Sequence, residues 1–231
     1  MHGMKFAVIG LGQFGGAIAK TLAKRGVEVL VIDKDERLIG EIADYVASAV
    51  ALDATDKKAL LSVNILDFDA VVVAIGEDFE QLLLTTTLLM DLGVKRIMAR
   101  ARGKNQQLIL KKIGVKEILS PEDEVGANVA ERLINPSIVS YLNLPGDFCI
   151  MEVKTPQGVV GRSLNSLKLR DNYHINLVTT MKEGSEVISR EATAEKQIEG
   201  VPTGETIIAD ETFLVLFGQR KNIERFIELN S

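Results

Sequence analysis

Residues 5–33 read KFAVIGLGQFGGAIAKTLAKRGVEVLVID, and this stretch decides the fold. A short apolar run, Phe6-Ala7-Val8-Ile9, leads straight into Gly10-Leu11-Gly12-Gln13-Phe14-Gly15. A helix-like segment follows, then a second apolar run from Val29 to Ile32 that stops on Asp33. The GxGxxG spacing alone is weak evidence. Placed between a strand and a helix, with an acid about twenty residues further on, it becomes a specific fingerprint for a nucleotide pyrophosphate. Gly10 permits the tight turn, Gly12 lets the backbone approach a phosphate, and Gly15 lets helix and strand pack closely. The helix N-terminus offers unpaired N–H groups and a partial positive charge to the phosphates. Asp33 is placed to accept hydrogen bonds from ribose hydroxyls. The duller reading is a glycine-rich turn in some other α/β protein, and the strand–turn–helix context weighs against it.

The rest of the chain sets bounds on that reading. Its 231 residues are 46% hydrophobic, enough for one large or two small cores. A net charge of −5 argues against a nucleic-acid partner, which leaves a basic footprint. There is no Lys/Arg run of the kind that binds anionic lipid. The single cysteine, Cys149, lies in an apolar strand-like run, where it reads as a small core residue in a reducing compartment rather than a nucleophile. Met4 to Gly10 already reads as a strand, so no signal peptide is expected, and no apolar stretch approaches the ~20 residues of a membrane helix. The expected location is the cytoplasm, with docking on a membrane protein left open.

From residue 4 to about 119 the chain alternates strand and helix patterns. Strands are expected over 6–9, 29–32, 47–52, 70–75, 96–100 and 117–119, with helices over 14–24, 36–44, 57–63, 79–92 and 105–113. Near-continuous apolar strands in β-α order predict a parallel sheet covered on both faces, a doubly wound Rossmann domain. Residues 121–142 read as one further helix, acidic at its start and interrupted by Pro136. Leu144-Pro145-Gly146-Asp147 looks like a linker turn. Short strands over 148–153, 176–181, 186–188 and 212–217 and a helix over 221–229 then predict a smaller α+β domain. The expected organisation is a nucleotide-binding domain over 4–135, a linker over 136–146 and a second domain over 147–231.

Several further residues fall where such folds hold ligands, at the carboxyl edge of the sheet. Asp53, Ala54 and Thr55 follow the third strand and could read an adenine edge; Thr55 or Asp56 could equally cap the next helix. Ala74, Ile75 and Gly76 end the fourth strand, where Gly76 would let a nucleotide pass close. Arg100 and Arg102 end the fifth strand, one side chain being expected on each face, and Arg100 is favoured over a merely solvated charge as a phosphate partner. Glu122, after the sixth strand, would need a divalent cation between itself and polyphosphate; its duller role is an acid at a helix start. Gln13, Phe14 and Lys34 complete the cofactor-binding set.

Catalysis is not expected. There are two histidines, His2 in the N-terminal tail and His174 far along the chain. No Tyr-x-x-x-Lys pair exists, since Ala49, Pro145 and Leu177 follow the three tyrosines at that spacing. No Cys/His cluster offers metal ligands.

The motifs VIGLGQFGGAIAKTL, VLVID, ALDATD, VVVAIG, RIMARA and ILSPEDEVG, followed by VVGRSLNSLKLRDNYHINLV and DETFLVLFG, together resemble the RCK (regulator of potassium conductance) proteins of KtrA/TrkA type. The resemblance covers residues 4 to about 229. It implies a cytoplasmic gating subunit, peripheral on the inner face of the membrane, whose Rossmann unit binds ATP, ADP or NAD(H). It also implies a homodimer paired through its crossover helix and assembled into an octameric ring on an integral-membrane potassium channel subunit of KtrB/TrkH-like kind. Carried over, Gly10, Gly12 and Gly15 hold phosphates, Asp33 the ribose, Asp53, Ala54 and Thr55 lie near adenine, and Arg100 contacts phosphate. Glu122 matches a glutamate that helps hold Mg or another divalent cation. Gln13 departs from the pattern, because related chains often carry arginine there to reach the γ-phosphate of a neighbouring subunit's ATP. An amide donates a hydrogen bond without the charge, which moves the expectation towards NAD(H) or a weaker ATP response. In the second domain, Val159, Val160, Arg170 and Asn176 match positions that bind cyclic di-AMP in some members. The dull reading there is a surface arginine and an asparagine opening a strand.

The resemblance thus makes the chain a nucleotide-sensing gate. A regulator of another cation transporter or antiporter is the nearest alternative. An NAD(P)-dependent oxidoreductase is the more distant one, and Asp33 would repel the NADP 2′-phosphate.

Overall fold

The β-α alternation becomes, in the computed structural model, a twisted parallel sheet; the structure describes residues 3–182 and 197–231. Its strands are β1 (Lys5–Ile9), β2 (Glu28–Asp33), β3 (Ser48–Ala51), β4 (Ala70–Val73), β5 (Ile97–Arg100) and β6 (Glu117–Leu119). They lie in the order β3-β2-β1-β4-β5-β6, every ladder parallel. The order reverses between β1 and β4, so the loops leaving their carboxyl ends part and open a crevice there. Helices α1 (Gln13–Lys24), α2 (Glu36–Ile42), α3 (Lys57–Ser62), α4 (Phe79–Asp91) and α5 (Gly103–Lys112) cover the sheet. Successive strand residues point to opposite faces and so feed two cores. Ile9, Ile32 and Val73 pack with Leu60, Leu82, Leu89 and Leu110 on one side. Val8, Val31 and Val72 pack with Ala19 and Ile42 on the other.

The chain divides into two compact units, Met1–Glu124 and Val125–Ser231, and the border falls within helix α6 (Pro121–Ile134). Here the structure corrects the sequence reading. The helix expected to run to 142 stops at Ile134, and residues 138–143 form strand β7 (Ile138–Asn143) instead of a helix tail and linker. Pro136 breaks the helical ladder, and the branched and aromatic residues after it pair antiparallel with β8 (Phe148–Lys154). The presumed linker turn is the hairpin loop between these two strands. Gly146 and Asp147 both adopt positive φ, 74° and 61°, and Leu144 N–H donates to Phe148 O at 2.8 Å.

The second unit continues through α7 (Leu164–Leu167), α8 (Leu169–Tyr173), β9 (Ile175–Lys182), β10 (Gln197–Ile198), β11 (Thr212–Gln219) and α9 (Arg220–Asn230). Its antiparallel sheet has the order β10-β9-β11-β8-β7. Along β8, Cys149, Met151 and Val153 are buried and alternate with half-buried Ile150 and Glu152. They meet Leu214, Leu216, Ile223 and Phe226 in one core. Burial pushes the Cys149 thiol pKa up, away from the reactive thiolate, as suits a core residue. The strand expected over 186–188 lies outside the described residues.

Candidate nucleotide-binding site

A cavity of about 550 Å³ opens at the carboxyl ends of β1, β2, β3 and β4, within the size range of small-molecule sites. Its walls bring together Gly10, Gly12, Gln13, Asp33, Lys34, Asp53, Ala54, Thr55, Ala74, Ile75, Gly76 and Arg100, residues spread over ninety positions of sequence.

The three fingerprint glycines do three different things. Gly10 has φ +93°, and a Cβ there would stand 2.9 Å from the backbone nitrogen of Ile75. A Cβ on Gly15 would overlap the carbonyl oxygen of Gly10, so helix α1 can rest on the loop only through a glycine. Gly12 is the exception. It is extended, with φ −60° and ψ −178°, and among the described residues nothing beyond its chain neighbours lies within 4 Å of where its Cβ would be. Packing demands the first and third glycines; it does not demand the second, whose missing side chain keeps a cradle open.

The helix entering that cradle starts without a side-chain cap. Asp35, Asp56 and Asp78 cap α2, α3 and α4 through their carboxylates. At α1, Gly12 provides no side-chain cap, and the first turn carries no acid. Its N–H groups and dipole are therefore available to an anion. The cap on α3 is Asp56, whose Oδ1 accepts from Lys58 N–H at 2.7 Å, and not Thr55. Thr55 instead donates from its N–H (2.9 Å) and hydroxyl (2.7 Å) to Asp53 Oδ1. These two bonds hold the Asp53 carboxyl below the usual carboxylate range.

Asp33 has a structural duty that the sequence did not reveal. Its Oδ2 accepts from Leu11 N–H at 2.7 Å and its Oδ1 from Asp35 N–H at 2.9 Å. The carboxylate thus ties the glycine loop to the end of β2, and each oxygen keeps a further lone pair for a hydroxyl.

At the other end of the cavity, Arg100 and Arg102 lie on the same side and not on opposite faces, as residues two apart in an extended chain must. The Arg100 side chain is 13% exposed, packs 5.4 Å over the Phe14 ring, and forms an ion pair with Glu122. Among the described residues its buried Nε has no hydrogen-bond partner. Gly76 makes room for it, since a Cβ there would stand 2.5 Å from Arg100 Nη1. Arg102 donates to Gly76 O at 3.0 Å and places its Nε 3.6 Å from Glu122. The Arg100 hydrogen bond, more than the charges around it, keeps the Glu122 carboxyl below its ordinary pKa. Glu122 stands alone as a cation ligand: among the described residues no group of three or more His, Cys, Asp or Glu side chains is arranged to hold a metal. A divalent cation there would draw its remaining ligands from phosphate and water.

Sequence reasoning missed Arg102 as a lining residue, together with Leu52, Arg37, Gln81 and Thr85. Gln81 and Thr85 are one turn apart on α4, and the fully buried Thr85 hydroxyl has no partner among the described residues. Thr86 and Thr87, in contrast, bond back to Leu82 O and Leu83 O. Their helical spacing after Asp78 was the available signal.

In the second unit, Arg170 Nε donates to Asn176 Oδ1, so α8 and β9 bring this pair together at the surface. Val159 is fully buried in the core, while Val160 is half-buried beside Gly161. Among the described residues, no helix is long and apolar enough to cross a membrane.

Residues 6–121 match the TrkA-N domain family. Ktr system potassium uptake protein C of Bacillus subtilis (strain 168) is 35% identical over 96% of this chain and 95% of its own length. Ktr system potassium uptake protein A of the same organism is 33% identical over the same shares. Among solved structures, the GsuK RCK domain has a TM-score of 0.53 at 24% identity, over 99% of this chain and 46% of that one.

Proposed function

The chain belongs to the TrkA-N family as a KtrA/TrkA-type RCK regulatory subunit, and from that premise we propose that it is a nucleotide-sensing gate for potassium uptake. The observation that carries this reading is the cradle at Gly12, open beside the uncapped start of α1 and facing Asp33 across the loop. Gly10, Gly12 and Gly15 shape the phosphate seat. Asp33 takes the ribose hydroxyls, with Lys34 beside it. Asp53, Ala54 and Thr55 meet the adenine, Ala74, Ile75 and Gly76 form the floor, and Arg100 neutralises phosphate.

The nucleotide acts through its differential affinity for two shapes of the assembled regulator, since equal affinity for both would shift nothing. ATP and ADP differ only at the terminal phosphate, so Gln13, Arg100 and a cation held by Glu122 are the groups that tell them apart. The regulator works as a homodimer built into an octameric ring on a membrane potassium-channel subunit, at the inner face of the membrane. The second unit adds a cyclic di-AMP site at Arg170 and Asn176, flanked by Val160. Catalysis plays no part in this role.

The test is thermal unfolding against ATP, ADP, NAD, NADH and cyclic di-AMP, with and without magnesium. A ligand at 100 times its Kd adds about 2.7 kcal/mol. Stabilisation by ATP and ADP supports the energy-sensing gate. Preference for NADH over both replaces it with a redox sensor. No response to any nucleotide removes the reading altogether.

Asp33→Ala separates binding from fold. Removing the carboxylate deletes the ribose acceptors and leaves Leu11 N–H and Asp35 N–H without their partner. We expect at least tenfold weaker binding of ATP, ADP and NAD alike, with a stability loss of about 1–3 kcal/mol. Titration calorimetry giving wild-type affinities would remove Asp33 from the site.

A further inference from the structure

The guanidinium groups of Arg100 and Arg102 converge on one atom. Arg100 Nη2 pairs with Glu122 Oε1, and Arg102 Nε lies 3.6 Å from the same oxygen. Both arginines are also built onto Gly76. Arg102 donates to its carbonyl at 3.0 Å, and Arg100 occupies the space that a side chain there would fill. Gly76 follows Ile75, whose backbone abuts Gly10, so the arginine pair stands beside the glycine loop. The Nε of Arg100, unpartnered among the described residues, adds a buried donor that Glu122 does not satisfy. Two cations sharing one carboxylate, with a donor left over, make a site short of acceptor oxygens.

We propose that Arg100 and Arg102 together form an intrasubunit site for the terminal phosphate of a nucleoside polyphosphate, and that Glu122 is an internal competitor for it. This rests on the nucleotide reading above and deepens it. A carboxylate and a phosphate present the same kind of planar oxygen edge to a guanidinium, so the two anions exclude one another there. Phosphate brings more oxygens and more charge, enough for both arginines and the free Nε. Arg102 thereby supplies from within the chain the positive charge that Gln13 does not. Glu122, once displaced, lies near polyphosphate and is repelled by it unless a divalent cation sits between them. Cation dependence of nucleotide binding therefore runs through Glu122.

The test is titration calorimetry of the full chain with ATP, ADP and AMP, first in EDTA and then in magnesium. Glu122 is exposed on the first turn of α6, so Glu122→Gln keeps the fold. In EDTA it binds ATP about tenfold tighter than the wild type, because a competitor and a repulsive charge are gone, and ADP, one phosphate shorter, gains less; the gain from magnesium disappears. AMP, whose single phosphate is held by the glycine loop, changes little. Arg102→Gln weakens ATP severalfold more than AMP. Unchanged or weaker ATP binding by Glu122→Gln in EDTA overturns the competition. Equal losses for ATP and AMP in Arg102→Gln overturn the role of Arg102. If the wild type binds none of the three, the nucleotide reading itself has failed, which is distinguishable from either result.

Discussion

Gly12→Val is expected to abolish nucleotide binding while leaving the protein folded. Valine is tolerated by the backbone here: φ −60° and ψ −178° lie in the region that β-branched residues occupy readily. Beyond its chain neighbours, no atom of the described residues lies within 4 Å of the new Cβ, so nothing in the core is compressed. The cost to stability is at most that of losing a modest N-cap residue, on the order of 1 kcal/mol. The same side chain, however, projects into the cradle in front of α1 and keeps phosphate oxygens away from its N–H groups. A loss of at least a hundredfold in affinity follows, so the stabilisation of about 2.7 kcal/mol expected of the wild type at 100 times its Kd falls to nearly nothing. Thermal unfolding with and without ATP measures both halves. A variant that unfolds like the wild type and still responds fully to ATP would show that the glycine loop is not the phosphate seat.

Phe226→Ala carries the largest expected loss of stability. Phe226 is fully buried in the core of the second unit and meets the Tyr173 ring edge-on, with centroids 5.1 Å apart at 84°. Its backbone carbonyl also accepts from Asn230 Nδ2 at 2.7 Å, which fixes the end of α9 against that aromatic pair. Truncation removes the ring and leaves a cavity walled by close-packed neighbours, a change of about 3–5 kcal/mol. Each 1.4 kcal/mol is a factor of ten, so amides of β8 and β11 that exchange through opening of this unit should do so roughly a hundred to several thousand times faster. Hydrogen exchange resolved by strand reads this directly. β1 and β4 belong to the other compact unit, and their exchange reports whether the two open separately. Unaltered protection along β8 would mean that α9 does not hold this core together.

Much of the fold was legible because its determinants are local. β1, β2 and β4 are near-continuous apolar runs, which a sheet buried on both faces can use. The misreading at 138–142 shows where that logic thins. Ile138, Val139, Tyr141 and Leu142 suit a helix tail as well as a strand until the partner is known, and β8 is the partner that decides. Pro136 and the branched residues after it were the signal for ending the helix earlier. The site divides in the same way. Gly10, Gly15 and Asp33 could be placed from the fingerprint, whereas Arg102 was assigned to the wrong face, and Thr55 shared with Asp56 a cap that Asp56 alone supplies.

The sequence by itself determined the parallel sheet, the glycine loop and the acid at the end of β2. Those follow from side-chain periodicity and from the absence of a Cβ, properties a short stretch of chain carries with it. Only the tertiary structure decided that Glu122 meets Arg100 and Arg102, that Gly76 makes room for the first of them, and that Asp33 already holds the Leu11 N–H. These are pairings of charge and hydrogen-bond direction between strand ends 20 or more residues apart in sequence, set by which strands lie side by side.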